Sequence, residues 1–341
     1  MYFFNPKHVN YFLISMLIFL FNGCDIFDSS TEIKKDYFNA DYIPYMRWHQ
    51  SSIPVQIINS WNIPAENLMN FKSNVYWYNI YQSPISIPIS INNVTKLFHV
   101  PALYLAYSPE QRACYNTNLN YSVTDTSWGG VMTPIISDDA DQLVGKFDRG
   151  YLSIWVRYLI NAHQNYLFID LGRISEDVIP NLMMNSEDIN ANERLETFTY
   201  FDEDRGLDEL INSKETYFDE QNNPDPNNDD FSDPSITLKY EKINFPEKNN
   251  ILDSEDLNNN WTLDRTNQYY TYKVPLDSAN NKYLIEKSSD NRWMKLQIPL
   301  IDYFEKIGDQ NDSEFSILRF WFKDCTETVR IEIAGIKFSF E

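Results

Sequence analysis

The sequence predicts a mostly β fold, a sandwich or barrel, on three observations. Apolar and polar residues alternate with a period of two through most of the chain after residue 75. The alternating runs are short and separated by turn residues. Helical periodicity is nearly absent. In Tyr151 to Leu159, Leu152, Ile154, Val156 and Tyr158 share one face and Tyr151, Ser153, Trp155 and Arg157 the other. Leu296, Ile298 and Leu300 oppose Lys295 and Gln297 in the same way, and Val329, Ile331 and Ile333 line one face near the C-terminus. In chain order, strands are expected over 75–79, 85–91, 97–107, 128–136, 151–159, 166–171, 268–274, 292–300, 315–323 and 328–340. Short helical turns are expected over 64–71, where Pro64 stands near the first helical position, and over 301–307.

The chain has 341 residues, 28 basic and 49 acidic, for a net charge of −21. Hydrophobic content of 43% and aromatic content of 16% exclude global disorder. So negative a chain has no basic stripe for a nucleic-acid backbone. Four His and three Cys leave little for a His- or Cys-rich metal centre, and nine Gly argue against glycine-rich phosphate loops.

Lys7 and His8 precede an apolar run from Tyr11 to Phe21. The run fits a signal-peptide core and is too short for a membrane helix. Gly23-Cys24 then resembles a lipoprotein processing site, so 1–23 is expected to be a lipoprotein-type signal peptide, with Cys24 lipidated. Residues 24–74 are expected to form a tether and approach segment before a sandwich over 75–341. That predicts an exported protein of the cell envelope, anchored in the outer membrane or at the cell surface, touching membrane through its lipid only. Cys114 and Cys325 could pair in an oxidising compartment if the fold brings them together.

Residues 174–267 interrupt the strands. They carry 24 acidic and 7 basic residues, so most of the net charge sits in this insertion. Two segments within it match: Ser186 to Glu196 (SEDINANERLE) and Ser254 to Asp264 (SEDLNNNWTLD). Side-chain oxygens recur at alternate positions, Asp188, Asn190 and Asn192, then Asp256, Asn258 and Asn260. Glu196 or Asp264 closes each unit. Alternate oxygens on a tight loop converge on one point, as in the opening of calcium loops, so these eight residues are the expected calcium ligands. The glycine usual after the third ligand is replaced by Glu193 and Trp261, and the distal bidentate Glu is missing. Asn/Asp turns without metal are the alternative. Asp202, Asp204 and Asp208 could add ligands or face water.

Several segments resemble the SprA-like cell-surface family of type 9 secretion and gliding motility. They are VYWYNIY (75–81), LAYSPEQRACYN (105–116), SWGGVM (127–132), DLGRISEDVIPN (170–181), SEDLNNNWTLD, QYYTYKV (268–274) and WMKLQIPL (293–300). They follow one another in the family's order. Ala113 and Cys114 stand where that pattern has Gly-Pro, and Leu182 where it has Gly. The resemblance implies one jelly-roll, galactose-binding-like β-sandwich with a long acidic loop insertion, in an envelope structural or binding protein. The family's large barrel has no counterpart here, so a transport role does not carry over.

A His-based hydrolase lacks its motif: His8, His49, His99 and His163 are scattered. The chain is not expected to be an enzyme. A carbohydrate-binding module of a surface glycan-handling system is the alternative function, since an aromatic ring can stack on a sugar face. Trp128, Trp155, Trp293 and Trp321 are candidates more readily explained as core. Trp261, in the acidic loop, is the candidate ligand contact. A carboxylate glycosidase is a weaker alternative, because pairs such as Glu176-Asp177 and Asp229-Asp230 abound in any acidic chain. The expected partner is thus an envelope protein or a surface glycan, with no nucleic acid.

Overall fold

Two six-stranded antiparallel sheets face each other across one apolar core in this computed structural model. It describes residues 47–91, 94–122, 126–135, 145–160, 165–198, 201–277, 281–309 and 315–340. The expected signal peptide, Cys24 and His163 lie outside these residues. In chain order the strands are β1 His49–Gln50, β2 Ser73–Ile80, β3 Ser86–Ile91, β4 Val94–His99, β5 Ala102–Arg112, β6 Trp128–Pro134, β7 Gly150–Ile160 and β8 Tyr166–Arg173. Then follow β9 Thr197–Phe198, β10 Phe201–Asp202, β11 Gln268–Pro275, β12 Leu284–Lys287, β13 Met294–Pro299, β14 Glu305–Ile307, β15 Ile317–Lys323 and β16 Val329–Phe340. The first sheet runs β1-β6-β15-β8-β11-β14 and the second β12-β13-β7-β16-β5-β2, with β3–β4 and β9–β10 as separate hairpins.

The alternation read from sequence decides the core. Leu152, Ile154, Val156, Leu296, Ile298, Val329 and Ile331 point inward from the second sheet. Leu167, Ile169, Leu171, Tyr272, Val274, Leu318 and Phe320 meet them from the first. All of these are fully or almost fully buried, which removes apolar area worth ~25 cal/mol per Å2 from water.

Three expectations change. Residues 97–107 form two strands rather than one, because Pro101, which lacks a backbone N–H, falls between β4 and β5. Residues 301–307 contain strand β14, not a helix. Tyr269, Tyr270 and Thr271 would otherwise expose an open edge, and β14 pairs with them. Part of the approach segment is built into the sandwich: β1 pairs with β6, helix α1 (Val55–Trp61) follows Pro54, and α2 (Ala65–Leu68) follows Pro64. The helical turn expected over 64–71 is α2 with the 3-10 turn Met69–Phe71.

A second apolar cluster lies on the outer face of the first sheet, where Met132, Phe168, Tyr269, Ile317 and Trp321 meet Ile53, Ile57, Leu68, Ile174, Val178, Leu207 and Phe245. The N-terminal segment and the acidic insertion therefore cover this face. The insertion leaves the sheet after Arg173 and re-enters at Gln268, which are paired neighbours in β8 and β11. Cys325 lies in the core between the sheets and Cys114 in the second cluster; both are buried and unpaired.

Candidate functional site

Strands β15, β8 and β11 place their outward side chains in rows across the first sheet. One row is Arg319, Asp170 and Thr271; the next is Trp321, Phe168 and Lys273. In the first row Arg319 Nε donates to Asp170 Oδ2 at 2.7 Å, and the Thr271 hydroxyl donates to Asp170 Oδ1 at 2.6 Å. Both charged side chains are completely buried. The chain before β2 closes over them. Gln56 on α1 donates to Thr271 at 2.6 Å, and the Tyr269 hydroxyl donates to Gln56 at 2.9 Å. Charges withdrawn from water this fully are held by their ion pair and the bonds around it, and loss of one partner costs about 3–5 kcal/mol.

α1 covers that row and stops short of the next, which leaves a groove of 270 Å3 along the Trp321–Phe168–Lys273 row. Trp321 and Phe168 stack with centroids 4.3 Å apart and form its apolar floor. Phe304 lines it, 60% exposed, and Tyr166, 40% exposed, lies beside Phe168 with ring centroids 6.4 Å apart. The Lys273 ammonium lies 4.0 Å from the Tyr166 ring centroid and 5.4 Å from that of Phe304. Lys323 and Glu305 add charge, and Gln56, Asn59, Ser60 and Thr271 add neutral polar groups. An apolar floor with a few convergent polar groups is the usual chemistry of a small-ligand site.

The two matching segments of the insertion fold identically. Asp188 accepts the backbone N–H of Asn192 at 2.9 Å and of Glu193 at 2.7 Å. Asp256 accepts those of Asn260 at 2.9 Å and Trp261 at 2.6 Å. Asn192 and Asn260 accept the N–H groups of Arg194 and Thr262. The Asn190 and Asn258 amides turn their N–H groups toward Glu196 and Asp264. Glu193 and Trp261, standing where glycine is usual, have φ of 60° and 62°. In each loop the Asp oxygens and the third-position Asn oxygen are thus engaged by backbone N–H groups, and the middle Asn turns its amide nitrogen to the closing carboxylate. Trp261 is 50% exposed, whereas Trp128, Trp293 and Trp321 are buried, and Trp155 is half-buried.

The element that sequence reading missed is the Glu inside each SED, and SED occurs a third time at Ser175-Glu176-Asp177. All three Glu residues are buried. Glu255 accepts the N–H groups of Val178, Ile179 and Asn185. Glu187 accepts those of Gly206 and Asp253, and Glu176 those of Leu257 and Asp264. Burial pushes Glu176 up to about 7, Glu255 to about 8 and Glu187 to about 9. The spacing of SED was visible in the sequence; the burial of its middle residue was not.

No protein-family model matches the chain, and neither does any curated protein. Among solved structures, the chain is similar to a family 11 carbohydrate-binding module from Clostridium thermocellum, in complex with a β-1,3-1,4-mixed-linked tetrasaccharide. Identity is 7% and the TM-score 0.34, over 87% of this chain and 92% of that one. A family 30 carbohydrate-binding module matches at 9% identity and a TM-score of 0.29, over 77% of each chain. An exo-β-agarase matches at 9% identity and a TM-score of 0.28, over 88% of this chain and 24% of that one. Likeness at this level assigns neither ligand nor function.

Proposed function

We propose that the chain is a non-catalytic, carbohydrate-binding β-sandwich whose ligand lies in the groove on the outer face of the first sheet. The observation that carries this reading is the groove itself. Exposed Phe304 lines it beside the stacked Phe168–Trp321 pair, with Lys273 and Lys323 at hand, and exposed Tyr166 lies next to Lys273. Aromatic faces stack on the C–H faces of sugars, and amide, hydroxyl and ammonium groups hydrogen-bond their hydroxyls. Two ammonium groups, Lys273 and Lys323, against the one carboxylate of Glu305 suit sugars bearing carboxylate or sulfate. The test is a glycan array of neutral and acidic polysaccharides, followed by titration of wild type and Phe304→Ala. Binding lost in the variant supports the reading; no binding to any glycan, or binding unaffected by changes at Phe304 and Lys273, removes it.

A second reading, a structural component of the cell envelope like the SprA-like family, is supported by the order of the resembling segments, which fall on β2, β5, β6, β8, β11, β13 and the duplicated loop. Export and lipid anchoring at Cys24 belong to both readings and rest on residues 1–24. Metabolic labelling with a fatty-acid probe, absent after Cys24→Ser, tests the anchor.

A further inference from the structure

A different acidic arrangement sits where the insertion meets the sandwich. Asp208, Glu215 and Asp229 each bring one carboxylate oxygen to within 4.8 Å of the others, the one such group among the described residues. Backbone and amide groups orient them: Leu210 N–H donates to Asp208 at 3.0 Å and Asn227 N–H to Glu215 at 2.8 Å, while the Asn227 amide donates to Asp208. Asp229 is different. Its side chain is completely buried, and neither carboxylate oxygen has a hydrogen-bond partner. Glu215 Oε1 is also buried and unpartnered. Of the cations nearby, Lys242 is paired with Asp225 at 2.6 Å, Lys248 with Asp230 and Glu247 at 2.5 and 2.8 Å, and Arg112 donates to the Pro226 carbonyl at 3.1 Å. Gly206 keeps the space beside Asp229 open: its φ is +76°, and a Cβ there would stand 2.7 Å from Asp229 Oδ2.

Buried carboxylate oxygens are satisfied in folded proteins by a donor, water or a cation. We infer that Asp208, Glu215 and Asp229 bind a divalent cation of the calcium class. An all-oxygen, all-carboxylate donor set suits a hard cation and not zinc. The ion joins the turns at 208–215 and 225–229. It also fastens both to the sandwich through Tyr115, whose hydroxyl accepts Leu207 N–H at 2.7 Å and whose N–H donates to the Asn227 carbonyl at 2.7 Å. This site shares no residue with the duplicated loops or the groove.

The test is calorimetric titration of calcium into chelator-treated full chain, with melting followed in parallel and terbium luminescence sensitised by Tyr115 as a direct local readout. Asp229→Asn and Glu215→Gln are each expected to weaken calcium binding by about ten-fold or more and to quench the terbium signal. Asp188→Asn combined with Asp256→Asn is expected to change it by about two-fold or less. Asp229→Asn keeps the size of the side chain and cannot carry a charge, so it does not need the ion in order to fold; Glu215→Gln is an independent second variant. Absence of any calcium response in wild type, a response retained in both single variants, or one lost only in the double loop variant, overturns the assignment.

Discussion

Glu187 and Glu255 occupy equivalent places about a local two-fold in the acidic insertion. Ser186 and Ser254 pair as an antiparallel bridge. Glu187 accepts the N–H of Asp253, and Glu255 that of Asn185, each at 2.9 Å. Each carboxylate therefore seals the backbone just before the other copy, and the loops are built as a pair.

Removing one carboxylate strips several buried amides of their acceptor. A buried donor left unsatisfied costs about 1–3 kcal/mol. Glu255 serves three such amides, so Glu255→Ala is expected to destabilise the protein by about 3 kcal/mol or more, and Glu255→Gln by less. Urea denaturation of the two variants checks the ordering.

The same residues make stability pH-dependent. Burial raises Glu176, Glu187 and Glu255 from an ordinary 4.5 to about 7, 9 and 8. A carboxyl group with a raised folded-state pKa contributes its full stabilisation below its unfolded value and loses it as pH rises through the folded one. In chelator, the melting temperature is thus expected to fall between about pH 5 and pH 9, and Glu187→Gln to flatten the decline. Calorimetry across that range measures it.

Glu193 and Trp261 adopt left-handed backbone that favours glycine. Such a conformation costs a non-glycine residue roughly 1 kcal/mol, so Glu193→Gly and Trp261→Gly are expected to raise stability by about that amount, less glycine's greater unfolded-state entropy. Equilibrium denaturation of the single and double variants reads the gain.

Lys72 is fully buried, its ammonium 5.5 Å from the Trp128 ring centroid and without a hydrogen-bond partner. Burial lowers it to about 8. Keeping this ammonium charged below that pH works against folding, so Lys72→Met is expected to stabilise the protein at pH 7 by about 2–3 kcal/mol, with the difference shrinking between about pH 8 and 10.5. Thermal melts at several pH values check both statements.

In the groove, Phe304 is exposed and carries little of the core. Phe304→Ala is expected to weaken glycan binding by about ten-fold while leaving the melting temperature within about 2 °C of wild type. Titration and melting on one preparation separate binding from folding.

The sandwich was legible because period-two alternation is a direct consequence of strand geometry, and strands such as β7 and β13 bury the faces their sequences assign. Helix α1 was not: VQIINSW has no clear helical stripe, although Pro54 before it and Asn62 in left-handed conformation after it mark the ends. β14 owes its conformation to the open edge of β11, which no local pattern encodes. The duplicated loop was visible as a repeat. The groove and the Asp208–Glu215–Asp229 group were not, since each gathers residues far apart in the chain and depends on what α1 and the insertion leave uncovered.

Arg173 and Gln268, between which the whole insertion is strung, are direct cross-strand partners. In topological terms the excursion is an enlarged hairpin tip. Its opening requires no strand of the sandwich to unzip, since loop-closure entropy grows only slowly with length. Substituting a tight turn for it would preserve strand order while baring the apolar patch around Tyr269 and Ile317, so solubility, rather than connectivity, is what such a graft would put at stake.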